Sequence, residues 1–80
     1  MSDVLIKADT EVDARGLNCP LPILKAKKAM RDLRPGQVML VIATDSGSAK
    51  DFPLLCKQTG NELAETFEEN GEFHFYIRKS

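Results

Sequence analysis

The sequence predicts an α+β two-layer sandwich: elements in the order β-α-β-α-β-β, with two helices on one face of a four-stranded mixed sheet. Three observations carry that prediction. Ile23, Ala26, Met30 and Leu33 recur at spacings of three and four, which marks the buried stripe of a helix. Residues 38–43 form an unbroken apolar run between turn residues, as a covered central strand does. Asn70-Gly71 separates two strand-like segments and is a strong short-range hairpin signal.

Taken in order, residues 11–15 alternate polar and apolar side chains, with Val12 and Ala14 on one side of a half-buried strand. Val4-Leu5-Ile6 would extend that strand or lead into it. A helix is expected over 20–33, because proline suits a first helical turn and Pro35-Gly36 stops the helix. After the strand 38–43, Ser48 with Asp51 three positions later is a weak helix-start signal. The second helix should run to Thr59, divided by Pro53 into an opening turn and a main segment, with Gly60 as its left-handed cap. Strands 62–69 and 72–78 close the chain as the hairpin. On the last strand Phe73, Phe75 and Ile77 share one face, and His74, Tyr76 and Arg78 the other. Phe67 is expected to join Phe73 and Phe75 in the core. The helical crossover makes the first two strands parallel, and the hairpin makes the last two antiparallel.

Eighty residues suit a single domain, 1–80, with a thin core, since a chain of this size buries only about 60% of its unfolded surface. Ordinary apolar content and mixed charge argue for a globular fold. No apolar run approaches a membrane span, and the first residues lack the pattern of a signal peptide. Two cysteines and one histidine show no zinc-ligand spacing and make no disulfide framework, so reduced thiols and a cytoplasmic location are expected. A net charge of −1 argues against a general nucleic-acid binder. Five of the eleven basic residues, however, fall within ten positions: Lys25, Lys27, Lys28, Arg31 and Arg34. They form either a solvated helix face or a positive docking surface for acidic partners.

The chemistry concentrates in Arg15-Gly16-Leu17-Asn18-Cys19-Pro20-Leu21-Pro22. A residue before proline is pushed out of helical backbone space, so Cys19 sits just outside a helix N-terminus. That end carries roughly half a positive charge, which favours a thiolate over a thiol. The helix alone leaves the thiolate in the minority at neutral pH; Arg15, Lys25 or another cation would have to approach to increase it. Gly16 suits a turn of unusual backbone angles, and Asp13 and Arg15 lie on the strand face opposite Val12 and Ala14. Pro20 and Pro22 stiffen the turn. Cys56, beside Leu54-Leu55, reads as a packing residue, with a resolving role for Cys19 as the alternative. His74 shows no sign of acting as a base for Cys19.

The Cys-Pro-x-Pro motif at 19–22, preceded by Val12-Asp13-Ala14-Arg15-Gly16, resembles the TusA/SirA family of small sulfur carriers. Further matching stretches are Pro35-Gly36-Gln37-Val38, Ala43-Thr44-Asp45, Lys50-Asp51-Phe52-Pro53 and 56–63. The resemblance implies the same fold and a persulfide carried on Cys19, with no cofactor beyond that cargo: a sulfurtransferase-type relay rather than an independent catalyst. It implies a donor such as a cysteine desulfurase or rhodanese, and an acceptor of the DsrE/TusD class. The destination is 2-thiouridine of transfer RNA or sulfur trafficking during sulfur oxidation. Monomers suit a carrier that meets two partners. Two other readings stay open: a redox module cycling through a Cys19–Cys56 disulfide, and an RNA-binding or regulatory module using the basic helix.

Overall fold

The computed structural model describes residues 7–80, so Val4-Leu5-Ile6 lies outside the described residues. The elements are β1 (Thr10–Ala14), α1 (Leu21–Met30), β2 (Val38–Ala43), α2 (Ser48–Thr59), β3 (Glu62–Glu69) and β4 (Glu72–Arg78). The four strands lie in the order β1-β2-β4-β3. β1 runs parallel to β2, and β4 is antiparallel to both β2 and β3. The mixed sheet and the two helices are those expected. The central place of β4 is added by the tertiary structure, because hairpin chemistry sets only the β3–β4 pairing.

The core lies between the helices and one sheet face. Val12 and Ala14 from β1, Met39, Val41 and Ala43 from β2, and Phe75 and Ile77 from β4 meet Ala26 and Met30 from α1 and Phe52, Leu55 and Cys56 from α2. Phe52 stacks on Phe75 with ring centroids 4.6 Å apart and pins α2 to the sheet. No helix among the described residues is long and apolar enough to cross a membrane.

Four expectations are corrected. α1 is shorter than 20–33: past Met30 the chain tightens into bonds to the third residue back, Asp32 N–H to the Ala29 carbonyl and Leu33 N–H to the Met30 carbonyl. Lys79 Nζ also donates to the Met30 carbonyl at 2.9 Å, satisfying a helix-end acceptor. Pro53 does not divide α2, which runs unbroken from Ser48 to Thr59. The bond that proline forfeits is to the exposed Ala49, while burial of Phe52, Leu55 and Cys56 holds both parts on one axis.

Ser48 is the first helical residue rather than the cap; Gly47 holds the cap position without a side-chain bond. Gly60 ends α2 with φ 78°, as expected. Finally, Phe67 is not in the core. The β3–β4 register shifts between Leu63 and Glu65, and the extra residue reverses the in–out alternation. Leu63 therefore packs on the core, whereas Phe67 stacks on His74 across the open face, centroids 4.5 Å apart. The two-residue hairpin turn has Asn70 at φ 53° and Gly71 at φ 78°, the positive angles a type I′ turn requires.

Candidate functional site at the mouth of the α1–α2 groove

The loop from β1 to α1 is tied to its surroundings at several points. Gly16 adopts φ 80°, and its N–H donates to Thr44 Oγ1 at 2.9 Å, fastening the loop to the end of β2. Arg15 Nε donates to Asp13 Oδ1 at 2.9 Å, and its Nη1 reaches Glu72 Oε2 at 3.4 Å. Hydrogen bonds from the Arg15 side chain and backbone hold the Asp13 carboxyl down at about 2. Lys25 Nζ donates to the Asp13 carbonyl at 2.6 Å and draws α1 back onto β1. Asp13, Arg15, Gly16 and Lys25 thus brace the loop. They leave Cys19 at its exposed end, and neither Arg15 nor Lys25 is spent on the thiol.

The Cys19–Pro20 peptide is cis, and Pro20 caps α1 without a side-chain bond. The first-turn donors that would have favoured a thiolate are scarce. Leu21 N–H goes to the Asn18 carbonyl at 2.8 Å, Pro22 has no N–H, and Leu24 N–H goes to the Pro20 carbonyl at 3.1 Å. Pro22 is buried beneath that turn, whereas Pro20 stays at the surface.

Cys19 instead faces a carboxylate. Its Sγ donates to Asp51 Oδ2, 3.1 Å away in the first turn of α2. That hydrogen bond pushes the Cys19 thiol above its ordinary value; loss of hydration and the charges of Asp51 and Asp45 act in the same direction. This reverses the expected bias toward a thiolate. The physical reason is tertiary: α2 brings a full negative charge where α1 offers only the remainder of a dipole.

Cys19 and Pro20 open onto a groove of about 230 Å³ between the helices, lined further by Ile23, Lys27, Asp51, Leu54, Leu55 and Gln58. Lys27 and Leu55 also line its continuation, where Arg31 and Lys79 stand. Lys25 and Lys28 are elsewhere, on the β1 side of α1 with Glu11 and Asp13. The basic cluster of the sequence is therefore divided between surfaces: Lys27 lines the groove of Cys19 and Arg31 the cavity next to it, whereas Lys25 and Lys28 lie on the β1 side.

Apolar side chains also gather near this end. Among the described residues the exposed large hydrophobics are Leu21 at 50%, Leu24 at 54% and Leu54 at 53%, two in the first turn of α1 and one in the groove wall. Sequence reasoning missed Asp51 and Leu54. Leu21 and Leu24 could have been found, because both fall off the Ile23-Ala26-Met30 stripe. Asp51 had no such signal: its pattern reads as helix-start chemistry, and its partner is 32 positions away.

Cys56 is 4% exposed among Phe52, Leu55 and the sheet, and burial pushes its thiol up. Both cysteines are free. The packing role expected of Cys56 is what its surroundings provide, and it does not line the Cys19 groove.

The family model described as sulfurtransferase TusA matches residues 10–79. The sulfur carrier protein TusA of Allochromatium vinosum is 64% identical over 72 residues, which cover 90% of this chain and 95% of that protein. The sulfur carrier protein TusA of Pseudomonas aeruginosa is 45% identical over 71 residues, covering 89% and 90%. In fold, the chain is similar to the crystal structure of a SirA-like protein from Desulfitobacterium hafniense. The two agree with a TM-score of 0.76 at 28% identity, covering 86% of this chain and 95% of that one. With its sheet, its helices and nearly all of its length matched, this chain belongs to the TusA family of sulfur carriers.

Proposed function

We propose that Cys19 accepts sulfane sulfur as a persulfide from a donor protein of the cysteine desulfurase or rhodanese type. It then hands that sulfur to a thiol of an acceptor protein of the DsrE/TusD type, for transfer-RNA 2-thiouridine formation or for sulfur trafficking. The observation that carries this reading is the placement of Cys19: an exposed thiol at the open mouth of a groove, on a braced loop, in a chain of a sulfur-carrier family. A relay needs a nucleophilic sulfur with access, and partner enzymes supply the more difficult chemistry. Lys27 and Arg31 along the groove, with Leu54 beside the sulfur, suit a partner that presents an acidic rim around an apolar contact.

Intact-protein mass spectrometry after incubation with a desulfurase and cysteine tests the assignment. Wild type should gain one sulfur that reductant removes, and Cys19→Ser should gain none. Sulfur retained by Cys19→Ser would move the carrier role elsewhere, and no adduct from either donor type on wild type would end it.

A further inference from the structure

The thiol of Cys19 does not point into open solvent. It donates to Asp51 Oδ2 at 3.1 Å, so the proton of the empty carrier is held between the sulfur and α2. The charged groups around this sulfur come from three elements: Asp51 on α2, Asp45 in the loop before α2, and Lys27 on the groove face of α1. Among the described residues, Asp45 Oδ2 is buried and meets no hydrogen-bond partner. A Cβ at Gly47 would lie 3.0 Å from Asp45 Oδ2 and 3.7 Å from Asp51 Oδ2, so the two carboxylates flank one point at the start of α2. A cysteine that can donate a proton is welcome beside them, and an anion is not.

Resting on the persulfide reading of Cys19, we infer that Asp51, in contact with the reacting sulfur, tells the empty carrier from the loaded one. In the empty state the carboxylate latches the thiol against α2. During loading, Cys19 Sγ passes its proton to Asp51 as it bonds to the outer sulfur of the donor hydropersulfide. The donor S–S bond breaks, its electron pair leaves with the donor sulfur, and that sulfur takes up the proton. Sulfane sulfur moves with no net oxidation or reduction. In the product Sγ carries no hydrogen, so the latch has nothing to hold. The outer sulfur extends about 2 Å further, and as a persulfide it is more acidic than the thiol. Its anion is repelled by Asp51 and Asp45 and drawn toward Lys27, which swings the cargo from α2 to the mouth of the groove. An acceptor then finds sulfur presented only when there is sulfur to take.

The test compares wild type, Asp51→Asn and, as a remote charge control, Glu68→Gln. Each is kept empty or loaded with a low-molecular-weight hydropersulfide. Intact mass follows sulfur on Cys19, iodoacetamide reactivity is measured against pH, and far-UV circular dichroism verifies folding. In the empty state Asp51→Asn should move the alkylation profile to lower pH and raise the rate at neutral pH severalfold. The loaded state should change far less, so the loaded-to-empty ratio falls; Glu68→Gln should match wild type. Sulfur loading with an unchanged ratio in Asp51→Asn would overturn the inference and leave the carrier reading intact. No sulfur on any variant would overturn both.

Discussion

The two cysteines of this chain sit at opposite ends of one physical choice. Cys56 lies mid-helix in α2 among Phe52, Leu55 and the sheet, and its thiol is pushed up because burial removes water from any charge it could carry. Cys19 lies on a loop at the surface, and its thiol is pushed up because a neighbouring carboxylate accepts a hydrogen bond from it. The direction is the same and the consequence differs. Desolvation makes a sulfur inert for as long as the fold persists. A hydrogen bond to an exposed group is undone by a partner, by a change of bond at sulfur, or by a single substitution. A raised thiol therefore identifies neither a structural nor a working cysteine until its cause is known.

The largest expected break in this comparison comes from exchanging oxygen for sulfur at each site. Cys56→Ser places a hydroxyl in an apolar core and should cost about 1–3 kcal/mol in urea unfolding, with sulfur loading of the folded protein unchanged. Cys19→Ser should leave the unfolding midpoint where it is. Loading lost in folded Cys56→Ser would make Cys56 a working residue and erase the distinction.

A smaller effect sharpens the surface around Cys19. Reversing Lys27 and Arg31 to Glu should slow sulfur transfer from a protein donor severalfold and leave loading by a small hydropersulfide nearly unchanged. Reversing Lys25 and Lys28, on the β1 side of α1, should affect protein-donor transfer much less. Equal slowing by the two pairs would mean that net charge, not the groove, guides the partner.

The smallest effect concerns the brace beneath Cys19. The folded Asp13 carboxyl is lowered from 3.8 to about 2, so its contribution is present above the unfolded value and is lost as pH falls through the folded one. Wild type should be slightly more stable than Asp13→Asn at neutral pH. That margin should vanish between about pH 4 and about pH 2 in thermal melts, and a margin constant through that window would assign the difference to something other than the ion pair.

Periodicity and turn chemistry made most of the fold legible. The apolar run 38–43 is a strand with no alternation to misread, Gly60 caps α2 where a left-handed residue was expected, and Asn70-Gly71 turns the hairpin. Pro53 and Phe67 were misread for opposite reasons. At Pro53 a strong local rule was overridden by packing of Phe52 on Phe75. At Phe67 a sound alternation rule was reset by one extra residue at the β3 bulge, which leaves no mark in composition.

In the site, Cys19 stood out because proline and helix-end rules act on adjacent residues. Its electrostatic surroundings did not, because they depend on which helix lies alongside. Local sequence alone determined the elements, the turn residues and the exposed position of the motif cysteine, since each follows from backbone sterics and side-chain period over a few residues. Only the tertiary structure decided that β4 lies between β2 and β3, that the basic cluster divides across α1, and that Asp51 meets Cys19. Those contacts join residues far apart in the chain, and a charge acts through space on whatever the fold brings within a few ångströms.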